Sequence, residues 1–314
     1  MDPKLTNLRA RVTPPPPEKT AVSVVELEST RPPTRRSVEA LGPRTLLVRL
    51  EGLALNMDPF ERLVLDGVVR SVRLDQGRTG GVLCRLELEF PVSSARPRIE
   101  VETGIPVVTR ITLDRQPLRE VLGGRRIAID PGHGGRDAGA RGPINLEERH
   151  VVLQIARRLA VHLEEAGAAV ALTRRDDRFV EPHRRMLAAV THRAQVLVSL
   201  HTLHEPPDSC QGMAVRFGAG VARAEAEAIA RAIASSLRQR LGLPEHGVQA
   251  MHWPSAAATR VPVVQVEVPC IAHPLEEALL RSVVFKDRIA QAIRNALAAH
   301  WGAAHQSGGA AAAL

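Results

Sequence analysis

The chain is poor in the residues that several kinds of recognition and anchoring require. None of its 314 residues is tyrosine, and aromatic residues make up only 2%. Proteins that bind single-stranded nucleic acid stack bases on aromatic side chains, so we expect no nucleic-acid partner. The first twenty residues hold no apolar segment of a signal peptide, and no run approaches the ~18 apolar residues of a membrane span. We therefore expect neither a transmembrane segment nor a signal peptide in this chain.

Cysteine is also scarce. The three cysteines are Cys84, Cys210 and Cys270, and no two of them are close in sequence. An odd number at such spacing does not suggest a CxxC metal site or a disulfide framework. We expect all three to be small buried apolar residues.

The charge is unbalanced towards the basic side. The formal net charge is +8 and the isoelectric point is about 10.6. A basic surface attracts polyanions, which include nucleic acid, anionic lipid and an anionic cell wall. Most arginines stand singly, however, and this is typical of an ordinary solvated surface. The charge alone therefore assigns no ligand.

The N-terminal third is predicted to be an arm followed by a β domain. A proline run at positions 14–17 lies within residues 1–20, and such runs are typical of extended, disordered segments. Short apolar runs separated by Pro, Gly and Asp then predict strands at 22–27, 45–50, 82–90, 98–102 and 107–113. Several of them alternate apolar and polar residues, which favours an antiparallel sheet or sandwich. Residues 21–118 are thus predicted to form a smaller all-β domain.

Residues 124–302 are predicted to form an α/β domain. Strands are expected at 126–130, 168–173, 195–200, 213–217 and 262–266. Helices are expected at 148–166, 181–194, 221–241 and 274–300. Alternating strands and helices predict a twisted, mostly parallel sheet with helices on both faces. The Gly- and Ala-rich residues 303–314 are expected to form a flexible tail.

Four chemically active side chains are predicted to meet at one edge of this sheet. The first strand leads directly to His133 through a glycine-rich turn, and later strands lead directly to His201 and Glu267. Ligands of open α/β sheets bind beyond the carboxyl ends of the strands. Glu148 opens the helix after the glycine turn and would face the same edge. Taken singly, each residue also has a structural explanation, such as a helix-dipole interaction for Glu148.

Two imidazoles and one carboxylate form a complete ligand set for catalytic zinc, with a further position left for water. Hydrolysis also needs a base for the proton of that water, and Glu267 is the remaining carboxylate at this edge. Asp130 and His204 are further candidates for supporting a ligand or binding substrate. The chain contains no GxxxxGK[ST], HExxH or GxSxG motif.

The residues around this constellation resemble a known family. The segment 127–140, IAIDPGHGGRDAGA, is similar to the opening of the zinc-dependent type 3 catalytic domain of N-acetylmuramoyl-L-alanine amidases. Further matching segments are 146–149, 151–159, 172–177, 198–201, 264–267 and 273–280. The resemblance covers approximately residues 126–300 of the chain.

The resemblance implies a zinc enzyme that cuts peptidoglycan between N-acetylmuramic acid and L-alanine of the stem peptide. It assigns His133, Glu148 and His201 as zinc ligands and Glu267 as the catalytic glutamate. The family spacing favours Glu148 over its neighbour Glu147 as the ligand. The implied partner is peptidoglycan and the implied location is extracytoplasmic, in the cell wall or periplasm. We expect a monomer.

The N-terminal β region is similar, in strand pattern and domain order, to the AMIN modules that bind cell wall ahead of such domains. Two segments depart from the family pattern. Thr202-Leu203 stands where the family usually has Ala-Asn or Ala-Asp, and residues 268–273 differ from the usual segment after the glutamate. The alternatives are therefore a weak or inactive amidase-like protein that binds or regulates the wall, and a zinc hydrolase of another amide.

Overall fold

The computed structural model describes residues 3–13, 21–78, 80–203, 210–254 and 259–311. The chain forms two compact units, residues 1–120 and 121–314. None of the helices within the described ranges is both long and apolar enough to span a membrane.

The first unit consists of two sheets with a shared core. Its strands are β1 Lys4–Thr13, β2 Val22–Ser29, β3 Arg35–Gly42, β4 Thr45–Glu51, β5 Ala54–Leu55, β6 Phe60–Leu63, β7 Val69–Gln76, β8 Val82–Leu88, β9 Arg98–Glu102 and β10 Val107–Asp114. One sheet has the order β5-β1-β2-β10-β9 and the other β3-β4-β8-β7-β6. Inward-facing side chains such as Leu27 and Ile111 of one sheet cluster with Val48 and Leu86 of the other. The helix α1 Val92–Ala95 is a single turn.

Part of the predicted arm is a strand. The structure places 4–13 in β1, which pairs with β2 along its length, so the prediction of a disordered arm over 1–20 is wrong there. Leu5 and Leu8 are buried in the core, and this burial holds the segment in place. Residues 14–20 lie outside the described ranges.

Several of the strands that the sequence did not predict lack a regular apolar alternation. The edge strand β3 is exposed along nearly its whole length, and β6 at the opposite edge is also mostly exposed. Since β3 buries neither face, its side chains carry no alternating apolar pattern. In β7 a register shift between Val69 and Ser71 interrupts the alternation.

The second unit is a mixed α/β layer structure. The short helix α2 Gln116–Leu122 spans the boundary between the two units. The remaining strands are β11 Arg126–Pro131, β12 Ala169–Leu172, β13 Val196–Thr202, β14 Met213–Gly218, β15 Glu245–Met251 and β16 Val263–Val268. The remaining helices are α3 Glu148–Glu165, α4 Pro182–Thr191, α5 Arg223–Leu241, α6 Pro274–Arg281 and α7 Val283–Ala311.

The sheet of this unit has the order β12-β11-β13-β16-β14-β15. Strands β12, β11, β13 and β16 are parallel, as predicted, and only the β14–β16 pair is antiparallel among the described pairs. Ile127, Ala128 and Ile129 of β11 are all fully buried, although alternate side chains point to opposite faces. Ala128 packs against Met186 and Ala189 of α4, while α3 and α5 contact the strands and α7 packs against both of these helices. Helices therefore cover both faces.

Two predictions for the C-terminal region need correction. The helix expected over 274–300 is interrupted, because Ser282 adopts an extended conformation at the end of α6. The tail expected to be flexible from 303 is helical through Ala311. Alanine has the highest helix propensity, and the alanines of this segment continue α7.

Candidate metal centre and its cavity

Three of the predicted site residues converge on one point. The ligand atoms of His133, Glu148 and His201 all lie within 4.8 Å of one another. Nε2 of His133 is 3.2 Å from Oε2 of Glu148, and Nδ1 of His201 is 3.2 Å from Oε1 of Glu148. Two imidazole nitrogens and a carboxylate at these distances could hold a metal ion.

Glu148, and not Glu147, faces the two histidines. Its side chain is 4% exposed, and it accepts hydrogen bonds from the backbone N–H groups of Ala140 and Thr202 at 2.9 and 2.8 Å. Burial raises the pKa of the Glu148 carboxyl, but its interactions with the two histidines outweigh burial and hold the pKa well below its usual range. Glu147 instead forms ion pairs with arginines.

The glycine-rich turn after β11 brings His133 to the centre. His133 has a φ of 60°, an unusual conformation for a residue with a side chain. At Gly132, an added Cβ would lie 2.3 Å from Cε1 of His201. A glycine is needed there because the backbone of the turn lies directly against the second histidine.

Asp137, whose role the sequence pattern did not indicate, orients the first histidine. Its Oδ2 lies 2.9 Å from Nδ1 of His133. A carboxylate on the far nitrogen of an imidazole directs the near nitrogen to a metal. Burial lowers the pKa of His133, but its interactions with Glu148 and Asp137 outweigh burial and raise the pKa.

Two buried arginines hold the turn, and they were also not predicted. Arg174 is fully buried and donates to the carbonyl oxygens of Pro131 and Gly132 at 2.9 and 2.7 Å. Arg185 donates to the carbonyl oxygen of His133 at 2.9 Å and to Oδ1 of Asp130 at 2.8 Å. Asp130, predicted to support a ligand or to bind substrate, therefore stabilises the turn through its hydrogen bond with Arg185.

Glu267 lies beside the three converging residues. It is directly opposite His201 in the register of β13 and β16, and both line a cavity of about 460 Å³ that His133 and Glu148 also line. Its Oε1 accepts hydrogen bonds from Nε of Arg216 at 2.7 Å and from Nε2 of Gln265 at 2.9 Å. Its Oε2 is buried and has no hydrogen-bond partner among the described residues.

All three cysteines are buried, as predicted, but the prediction of no disulfide is wrong for two of them. Cys210 and Cys270 form a disulfide across 60 residues, and Cys84 is free and buried. The two bonded residues follow β13 and β16, which carry His201 and Glu267. The fold brings the two cysteines together, and their separation of 60 residues in the sequence gives no sign of this pairing. The candidate His204 lies outside the described residues.

The chain is similar to known proteins over most of its second unit. Residues 127–299 match the type 3 amidase model described as N-acetylmuramoyl-L-alanine amidase. The amidase LytC of Bacillus subtilis is 30% identical over 184 residues, which is 59% of this chain and 37% of LytC. The probable cell wall amidase LytH of Staphylococcus aureus is 28% identical over 64% of this chain and 65% of LytH. The chain thus spans less than two thirds of these curated relatives.

Solved structures of amidases are also similar to part of this chain. One is the N-acetylmuramoyl-L-alanine amidase AmiC2 of Nostoc punctiforme, with 28% identity and a TM-score of 0.51 over 56% of this chain and 96% of that one. Another is the catalytic domain of the amidase CwlV from Bacillus (Paenibacillus) polymyxa, with the same identity and TM-score over 55% and 95%. The family match covers more than half of the chain, and the chain therefore belongs to the N-acetylmuramoyl-L-alanine amidase family.

Proposed function

We propose that this protein hydrolyses the amide between N-acetylmuramic acid and L-alanine of the peptidoglycan stem peptide. The observation that carries the proposal is the shared cavity, in which Glu267 lies opposite His201 and beside the other two converging residues. A metal site with a separate carboxylate next to it is an arrangement suited to amide hydrolysis. Family membership supports the same reaction class.

Zinc fits the converging residues. Two imidazoles and one carboxylate are the protein ligands of many catalytic zinc sites, and His133, Glu148 and His201 would hold the ion. Zinc bound there supplies Lewis acidity for attack on an amide carbonyl. Asp137 orients His133, while Arg174 and Arg185 hold the turn that carries it.

Glu267 is proposed as the general base and acid. Arg216 and Gln265 both hold Oε1, and this fixes the carboxylate in one orientation. A carboxylate fixed in this way can accept the proton of the attacking water and return it to the leaving amine. Because Glu267 lines the cavity without belonging to the converging set, we expect its role to be separable from metal binding.

Digestion of purified peptidoglycan tests the proposal. Mass spectrometry of the products should show free stem peptides that begin with L-alanine, together with glycan chains that lack peptides. Products cut elsewhere in the stem would favour a zinc hydrolase of another amide. If intact sacculi remain although the protein holds zinc, the weak or inactive wall-binding alternative is favoured instead.

The first unit is proposed to bind the cell wall, as AMIN modules do. It has its own core, and the metal-ligand cluster found among the described residues lies in the second unit. Tethering to an insoluble polymer raises the local concentration of cleavable bonds. An extracytoplasmic location is part of this proposal, and the Cys210–Cys270 disulfide supports it because disulfides persist in oxidising compartments.

Separating the two units should separate wall binding from cleavage. A fragment beginning at Gln116, which keeps α2 whole, should still cleave small soluble muropeptides but should pellet weakly with sacculi. Fragment 1–115 should pellet with sacculi without cutting them, and added salt should weaken this if the basic surface contributes. Pelleting assays with each fragment and the full chain measure the effect.

Circular dichroism of each fragment serves as the folding control for this comparison. If the folded fragment from Gln116 pellets as well as the full chain and folded fragment 1–115 stays in the supernatant, the first unit does not bind the wall.

A further inference from the structure

The cavity beside the candidate metal centre contains one permanently charged cation among its described lining residues, Arg216 of β14. The acidic lining residues are Asp137, Glu148 and Glu267. A guanidinium stays protonated in proteins, so this side chain is a fixed positive charge at a position where substrate would enter. Its side chain is 31% exposed.

The hydrogen bonds of Arg216 leave part of the guanidinium unused. Nε donates to Oε1 of Glu267 at 2.7 Å, and Nη1 donates to Oε1 of Gln249 at 3.3 Å. Nη2 makes no hydrogen bond to any residue that the structure describes. The protein therefore fixes the guanidinium from one side and leaves an N–H₂ group available to a ligand.

We propose that Arg216 is a specificity-determining residue that binds a free carboxylate of the stem peptide. This inference rests on the proposed amidase function. A guanidinium matches a carboxylate in both charge and hydrogen-bond geometry. The second stem residue, a γ-linked D-glutamate, carries its α-carboxylate either free or converted to a carboxamide. Arg216 favours the free acid, because a neutral carboxamide forms no ion pair with it.

Two synthetic substrates test this. Both are N-acetylmuramoyl tripeptides with L-alanine, γ-linked D-glutamate and an L-lysine whose carboxyl is capped as an amide, and they differ only in the α-carboxylate or α-carboxamide of the second residue. The zinc-loaded full chain should cleave the acid with a kcat/KM roughly 10-fold to 100-fold higher, the range for one hydrogen bond to a charged group. In Arg216→Gln this ratio should fall towards one. Arg231→Gln is the matched control, because Arg231 is paired with Glu227 on the surface of α5, and it should keep the ratio.

The two substrates also separate this inference from other effects of the substitution. Arg216 contacts Glu267, so Arg216→Gln can also slow both substrates equally through a misplaced base. Equal slowing with an unchanged ratio overturns the inference, and so does a wild-type ratio near one. Cleavage of neither substrate by the wild-type chain contradicts the proposed function itself. Binding of both compounds to the Glu267→Gln protein, measured by calorimetry, should show the same preference without turnover.

Discussion

Replacing His201 by alanine is expected to abolish zinc binding and peptidoglycan cleavage together. The substitution removes one of the three ligand atoms that lie within 4.8 Å of one another. It also leaves the buried Glu148 carboxylate with one histidine partner where it had two. Zinc content by elemental analysis and release of stem peptides from sacculi are the two measurements.

His192→Ala is the matched control for this substitution. His192 lies at the end of α4, where it is half-buried and hydrogen-bonded to the carbonyl oxygen of Ala169. The control should keep both zinc and turnover. An His201→Ala protein with one zinc per chain and normal turnover would falsify the ligand assignment.

Glu267→Gln should leave zinc in place while kcat falls by roughly 10²-fold to 10⁴-fold, the usual contribution of general acid–base catalysis. Glutamine keeps the shape of the side chain, and its amide oxygen can still accept from Arg216 and Gln265. It cannot take a proton from water. Turnover on soluble muropeptides and zinc content, measured on the same preparation, decide the outcome.

The control for Glu267→Gln is the same change at Glu227, which is ion-paired with Arg231 on α5. That protein should keep full activity. Loss of zinc in Glu267→Gln, along with activity, would place Glu267 among the metal ligands instead of assigning it proton transfer.

The position of the candidate site could be predicted because it depends on strand order and direction. His133, His201 and Glu267 follow or end three strands of the sheet, and parallel neighbours present their carboxyl ends at the same edge. The pairing of β11, β13 and β16 confirms that these strands are parallel neighbours. Glu148 could be placed at the same edge because it begins α3, the helix that follows the glycine turn along the chain.

The residues that support the site could not be predicted in the same way. Arg174 and Arg185 reach the turn through long side chains from distant parts of the sequence, and no local pattern indicates that either of them binds the turn. Asp137 gave a weak local signal, because it lies four residues after His133 within the same turn. Edge strands such as β3 were missed because their exposed side chains follow no apolar alternation.

The amino-acid sequence by itself determined the α/β character of the second unit, the parallel strands at its centre and the identity of four side chains at one sheet edge. These features follow from local periodicity and from the order of residues along the chain. Only the tertiary structure decided the Cys210–Cys270 disulfide, the hydrogen bonds from two buried arginines to the glycine-rich turn, and the contact of Arg216 with Glu267. Each of these contacts joins residues far apart in sequence. They form only once the sheet has brought the strand ends and their loops together.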